Sequence, residues 1–545
     1  MPSGLTRREL LTAMLGAPVL ASLGCQTKSI PSKGELLSPD YSLGHRLRDG
    51  IDLSNVSANH QHKAIIVGGG MAGLAAAWRL QRAGTTDFVV LELEQHPGGT
   101  AHSGASDLIA YPWGAHYVPV PTKENPGLAT LFDEMGLVEG TDEFGNPTIA
   151  EQFLCRDPQE RVFQNGQWFE GLYPHDGATE ADLKQLAEFR AEMNRLAGEC
   201  DDQGRRHFTI PSANCADTPE LRKLDSTSFA DWVRRKGWDS ERLKWYIDYA
   251  CRDDYGMTAD QTSAWAGLFY FVSRIPAPNQ RAQPFITWPE GNGAIVKHLT
   301  DQLQQRMQLG RMVCRIEEPT TGKVRVTALN SANDAIELYE ADRAIFAAPQ
   351  FVAPYLIDGL REQQPWRGKG FQYGSWMVAN IHLSGRPEKN GFPLAWDNVA
   401  YGSRSLGYVV ATHQRGLDYG PTVLTYYYPF CDENVSERRE LLLNMDWAEW
   451  ADVILTDLHQ QHTDIRPLVE RIDIMRWGHA MVRPRPGFVF NPSRVNASLP
   501  AGRIHFANTD LSAVALMEEA WFHGLRAGEE VLTGLGTEFD SLLSY

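Results

Sequence analysis

The chain has 545 residues, 43% of them hydrophobic and 22% charged. Single cores stop growing near ~250–300 residues, so several lobes are expected, and the composition excludes both a disordered and a membrane-embedded chain. Its 51 Lys and Arg against 68 Asp and Glu give a formal net charge of −17, which disfavours nucleic acid or anionic lipid as a partner, because phosphate binding needs clustered cations; an acidic body attracts cationic molecules instead.

The chain opens on Thr6-Arg7-Arg8-Glu9-Leu10-Leu11, followed by an apolar stretch to Gly24 that is too short to span a bilayer. Paired arginines before such a stretch resemble a twin-arginine export signal over residues 1–24, which implies a periplasmic or exported protein. Leu23-Gly24-Cys25 resembles a lipoprotein cleavage box, so a lipid anchor on Cys25 is the only membrane attachment expected. Residues 25–60 read as a polar linker or surface arm. The other six cysteines, at 155, 200, 215, 251, 314 and 431, permit disulfides in an oxidising compartment, and none has zinc-ligand spacing, so no metal is expected.

Ala64-Ile65-Ile66-Val67 has the apolar, β-branched character of a buried parallel strand. It runs directly into Gly68-Gly69-Gly70-Met71-Ala72-Gly73, and then into a helix former-rich segment, Leu74 to Leu80. In that strand–turn–helix context Gly68 permits the tight turn, Gly70 lets the backbone approach a pyrophosphate, and Gly73 lets helix and strand pack closely. The phosphates rest on free N–H groups at the helix start. A second strand, Phe88-Val89-Val90-Leu91, ends in Glu92, whose carboxylate suits the two hydroxyls of an unphosphorylated ribose.

That unit alone fits either FAD or NAD. The following Gln95-His96-Pro97-Gly98-Gly99-Thr100 resembles the flavin-containing amine oxidase superfamily, in which a second glycine pair helps to hold the pyrophosphate. Members usually place Arg after that pair, where this chain has Thr100. Further blocks carry the resemblance: Trp113-Gly114-Ala115-His116-Tyr117, Thr287 to Gly293, Met312-Val313-Cys314, Ala341 to Pro349, Gly502 to Asp510, and Leu516-Met517-Glu518-Glu519-Ala520. The resemblance implies noncovalent FAD contacted by Gly68, Gly69, Gly70, Met71, Ala72, Gly73, Glu92, Gly98, Gly99, Thr100, Gly114, Ala115, Val313 (through its backbone, at adenine), Asp510 and Met517. Met517 opens a helix whose positive end stabilises reduced flavin.

The same resemblance implies an α/β fold: a Rossmann-type FAD-binding domain, discontinuous over 61–125, 281–350 and 465–545, and an α+β substrate domain of a sheet with a helical cover over 126–280 and 351–464. It also implies an FAD-dependent oxidoreductase that passes a hydride from an amine or polyamine-like substrate to flavin N5, with oxygen or a quinone as final acceptor. The chain departs from the family at the reaction centre. Ala480 and Leu516 stand where two framing aromatic rings are expected, and Trp376 to Leu383 lacks an expected lysine. His116, Trp477 and His479 are therefore the candidate catalytic residues. Arg252-Asp253-Asp254-Tyr255-Gly256 reads as a helix cap with a local ion pair, with amine recognition as the alternative. A desaturase acting on an apolar substrate and a noncatalytic flavoprotein remain open.

Overall fold

The computed structural model describes residues 33–277, 280, 282–319 and 322–543. The export signal and Cys25 lie outside the described residues. Ala64 to Val67 is buried throughout, as a strand covered on both faces must be. It ends the strand Val56–Val67, which runs parallel between Phe88–Leu91 and Ala335–Phe346. Met307–Gln308, Val324–Asn330, Arg311–Glu317 and Ile504–Phe506 complete a seven-stranded sheet. The helix Met71–Arg82 follows the glycine turn and is buried from Met71 to Leu80.

The last helix, Met517–Leu535, packs across this first one at glycine: a Cβ on Gly524 would lie 2.3 Å from the Ala72 carbonyl oxygen. Backbone therefore meets backbone, and the buried Arg79–Glu529 ion pair, at 2.9 Å, sets the register. The α/β architecture with a Rossmann-type nucleotide domain is the one expected.

A second, eight-stranded sheet carries the order Leu36–Leu37, Val469–Val482, Tyr373–Leu383, Thr422–Phe430, Tyr408–Val410, Asp397–Ala400, Glu160–Gln164, Gln167–Glu170. The helix Trp447–His459, started by a capping box of Asp446 and Glu449, covers one part of it. Helices Glu180–Ala197, Glu241–Tyr255 and Ala264–Ser273 form a separate lobe around Phe189, Ile247, Trp265 and Phe269.

The domain limits differ from expectation in three places. Val469–Val482 belongs to the eight-stranded sheet, not to the nucleotide domain, because its long extended run pairs along Tyr373–Leu383; only Ile504–Phe506 rejoins the first sheet. The segment 126–280 is not purely helical cover, since Glu160–Gln164 and Gln167–Glu170 close the edge of that sheet. Residues 33–60 are no free linker either. Leu36 and Leu37 pair with Ile474 and Met475, Leu43 on the helix Tyr41–Asp49 enters a core with Met312 and Cys314, and the first long strand starts at Val56. The cysteines at 155, 200, 215, 251, 314 and 431 are all unpaired.

Candidate active site

Gly68 has φ +105°, a conformation that side chains resist, and a Cβ on Gly73 would lie 1.9 Å from the Gly68 carbonyl oxygen. Both glycines are required by packing. Gly70 caps the helix Met71–Arg82 without any side-chain hydrogen bond, and a Cβ there would meet nothing within 4 Å. The first-turn N–H groups of Met71, Ala72 and Gly73 therefore lie at an open, electropositive helix start.

The second glycine turn abuts the first. The Gly98 N–H donates to the Gly69 carbonyl at 2.8 Å, and Gly98 and Gly99 both have positive φ, +110° and +57°. Thr100 is exposed; its carbonyl accepts the Ala115 N–H at 3.0 Å and lies 2.4 Å from where a Gly114 Cβ would be, which joins these three residues in one wall.

Glu92 is buried at its strand end, where its carboxylate accepts the N–H groups of Gly69 at 2.5 Å and Glu94 at 2.9 Å. Burial raises its pKa and those donors oppose the rise. Each carboxylate oxygen retains acceptor capacity for a ribose hydroxyl. Val313 sits at a bulge in the strand Arg311–Glu317, with its side chain in the core beside Val67 and Leu91.

Asp510 is buried, accepts the Gln350 N–H at 2.8 Å and the Tyr373 hydroxyl at 2.6 Å, and is pushed by burial up to about 6. Met517 begins its helix after Leu516, again without a capping side chain. Two uncapped helix starts, an open glycine face between them and a buried acid at the strand end fit an elongated dinucleotide with its pyrophosphate at Gly70–Gly73 and its flavin at Met517. Replacing Glu92 by Gln is expected to weaken FAD binding to the apoprotein roughly tenfold or more, as measured by flavin fluorescence titration, because a charged hydrogen bond to the ribose is lost.

Where these residues end, a cavity begins. Ala115 and Met517 are followed by His116 and Glu518, and both line a cavity of about 260 Å³. Tyr117, Tyr249, Tyr270, Phe285 and Trp396 supply aromatic wall, and Glu160, Asp253, Asp397 and Glu518 supply carboxylates, with Asp142, whose carboxylate accepts from Phe144 and Asn146, as a fifth. Arg274 also lines it, but it is paired with Asp254 at 2.7 Å.

Asp397 accepts the Tyr249 hydroxyl at 2.9 Å. The side chains of Glu160 and Asp253 make no hydrogen bond or ion pair among the described residues, and Oε1 of Glu518, a residue only 3% exposed, has no partner. Burial pushes Glu160 and Glu518 up to about 7; it does the same to Asp253, aided by the neighbouring Asp254, and raises Asp397.

The three catalytic candidates separate. His116 faces the cavity, with its ring 5.2 Å from Trp396 and 4.7 Å from Tyr427; burial lowers it to about 4, so it is neutral near pH 7. Trp477 does not line the cavity: its Nε1 donates to the Trp113 carbonyl at 2.7 Å and its ring meets His102 edge-on at 5.6 Å. His479 stacks on Phe351 at 4.6 Å, also away from the cavity, and burial lowers it to about 4. Ala480 and Leu516 are likewise outside the lining.

In the strand that lacks the expected lysine, Asn380 donates to the Pro112 carbonyl at 3.1 Å and accepts the Thr425 hydroxyl at 2.7 Å. Arg252 to Tyr255 form the last turn of Glu241–Tyr255, closed by Gly256 at φ +58°. Arg252 pairs with Asp248 at 3.2 Å and Tyr255 packs in the helical core, while Asp253 turns to the cavity. Glu160, Asp397, Glu518 and Trp396 were not among the residues expected from sequence. The first two sit in short strands with no local motif.

The sequence profile of the family described as flavin containing amine oxidoreductase matches residues 71–532. L-amino acid dehydrogenase of Synechocystis sp. is 26% identical over 297 residues, 53% of this chain and 56% of that protein. Polyamine oxidase 3 of Oryza sativa subsp. japonica is 27% identical over 198 residues, 34% of this chain and 40% of that protein. The chain thus spans about half or less of the length of these curated relatives. Putrescine oxidase bound to putrescine shares the fold with a TM-score of 0.64 and 18% identity, over 87% of this chain and 100% of that one. With the profile covering most of its length, this chain belongs to the flavin-containing amine oxidoreductase family.

Proposed function

We propose that the protein is an FAD-dependent oxidoreductase that oxidises an amine, with a preference for amines carrying more than one charged nitrogen. The observation that carries this reading is the cavity beside His116 and Glu518, where five carboxylates face a single guanidinium, Arg274, that is already paired. Unpaired buried carboxylates are unfavourable until a cation joins them, and aromatic walls favour ammonium groups further. Relatives point the same way: polyamine oxidase 3 is named for such amines, and the putrescine oxidase of the same fold is bound to putrescine.

FAD, held noncovalently by the two glycine turns, Glu92 and the Met517 helix start, supplies the hydride acceptor. The protein's own residues do the rest. Glu160, Asp253 and Asp397 hold charge at one part of the cavity, Tyr249 orients Asp397 through its hydroxyl, and the aromatic walls exclude water. His116, neutral and ringed by Trp396 and Tyr427, shapes the wall without adding a positive charge. We further read residues 1–24 as an export signal that places the enzyme outside the cytoplasm, with Cys25 as a lipid attachment point and oxygen or a quinone as electron acceptor.

Purified protein is expected to be yellow and to bleach anaerobically with putrescine or spermidine faster than with butylamine at equal concentration. Bleaching by apolar compounds alone would replace this reading with the desaturase, and a flavin that no compound bleaches would favour the noncatalytic one.

A further inference from the structure

Resting on the amine-oxidising reading above, we propose that Glu518 is a catalytic residue, and that its Oε1 takes the proton from the ammonium nitrogen of the substrate before oxidation. Its position supports this directly. It is the second residue of the helix Met517–Leu535, whose start has no capping side chain, and it lines the cavity. Only 3% of it is exposed, and Oε1 has no hydrogen-bond partner. The neighbouring carboxylate on the same turn is fully engaged: Glu519 accepts from the Ser212 N–H, the Ser212 hydroxyl and the Ser512 hydroxyl. One acid anchors the helix start, and the other is left free.

Amines arrive as ammonium ions near neutral pH, and an ammonium nitrogen has no lone pair to assist loss of hydride from the adjacent carbon. In the proposed step an N–H bond of the ammonium breaks and an O–H bond forms at Oε1, while the electron pair stays on nitrogen. Hydride loss from the α-carbon, which FAD would accept when bound, would then leave the substrate an iminium ion two electrons more oxidised. The proton on Glu518 passes to water when the product leaves.

Burial favours this transfer from both sides, because it disfavours a charged carboxylate and a charged ammonium alike. The groups that face Glu518 set the balance. Arg274, the residue after the helix Ala264–Ser273, favours the ionised acid, whereas Asp254 on Glu241–Tyr255, Glu519 on its own helix and burial oppose it. Tyr117 on the adjoining strand is held neutral, its own pKa raised by burial. The outcome is a carboxyl group pushed up to about 7, within reach of a proton acceptor's range at neutral pH.

The test compares wild type with Glu518→Gln, each checked for flavin content. Flavin reduction by putrescine should be at least a hundredfold slower in the variant at pH 7, and the gap should close by tenfold or more at pH 10, where a far larger fraction of the amine arrives with a neutral nitrogen. A structural defect would leave the gap constant.

A second readout needs no turnover. tert-Butylamine has no hydrogen on the carbon beside nitrogen, so it binds without being oxidised, and calorimetry in buffers of different ionisation enthalpy counts the protons released. Wild type should release close to one proton more than the variant at pH 6, and about none more at pH 8. Binding to both proteins with equal proton release, or a rate gap that does not change with pH, overturns the role of Glu518 and leaves the amine reading intact. If no amine binds or bleaches the wild-type flavin, both are overturned.

Discussion

Gly73→Val should yield a protein that purifies without flavin. The Cβ alone would stand 1.9 Å from the Gly68 carbonyl oxygen and 3.4 Å from the Ala347 Cβ, so the helix Met71–Arg82 must move away from the strand end that precedes it. The same helix carries the open N–H groups for the pyrophosphate and packs at Ala72 against Gly524 of the closing helix. Displacing it therefore disturbs the phosphate site and the flavin-facing helix start together. The expected result is loss of more than nine-tenths of bound FAD, read from the ratio of flavin to protein absorbance, and a fall of many degrees in Tm. Overpacking of this kind typically costs about 1–3 kcal/mol even where neighbours are flexible side chains, and here the neighbour is backbone. Gly70→Ala is the matched control, since its Cβ would enter open space; it should keep the fold and lose affinity for FAD, because that space is where the pyrophosphate approaches.

The second large effect couples binding to stability with opposite signs. Glu160→Gln or Asp253→Asn should raise the KM for putrescine roughly 30-fold or more, as expected for removing one partner of a buried charged contact. The same substitutions should stabilise the substrate-free protein above pH 7. Both carboxyls are raised on folding to about 7 from ordinary values of 4.5 and 3.8, so the folded state binds more protons than the unfolded one between those limits.

Their contribution is then fully favourable below the unfolded pKa and is lost as pH rises through about 7, by on the order of 3–4 kcal/mol per group at most. Thermal melts of the wild type should accordingly fall in Tm between pH 5.5 and 8.5, and the slope should flatten in each variant. Putrescine should protect wild type more at pH 8.5 than at pH 5.5, where the carboxyls are already neutral. A variant that is less stable than wild type at pH 8.5 would show that these acids are held by interactions other than the ones described.

The nucleotide half of the molecule was legible because its signals are contiguous. Gly68 to Gly73 sits between an apolar β-branched tetrad and an alanine-rich helix, and Glu92 ends the next strand, so each residue's role follows from neighbours in the chain. The limits of the substrate domain were less legible. Val469–Val482 alternates apolar and polar residues as any long strand does, and only its pairing with Tyr373–Leu383 assigns it to the second sheet. Trp477 and His479 stood out on that strand as aromatic and polar residues, yet neither lines the cavity; Trp477 closes the aromatic core beside Trp113.

The sequence by itself determined the family, the glycine turn between strand and helix and the acidic character of the chain, since a Rossmann turn is a local structure whose glycines are dictated by steric contact over a few residues. Only the tertiary structure decided where the substrate goes. Glu160, Asp253, Asp397 and Glu518 come from two strands and two helices far apart in the chain; Asp253 stood in a polar cluster with amine recognition as its alternative reading, and the other three had no local signal for this role among 68 acids. What distinguishes them is convergence on one enclosed cavity that holds a single, already paired guanidinium, and that property belongs to the folded arrangement rather than to any segment of it.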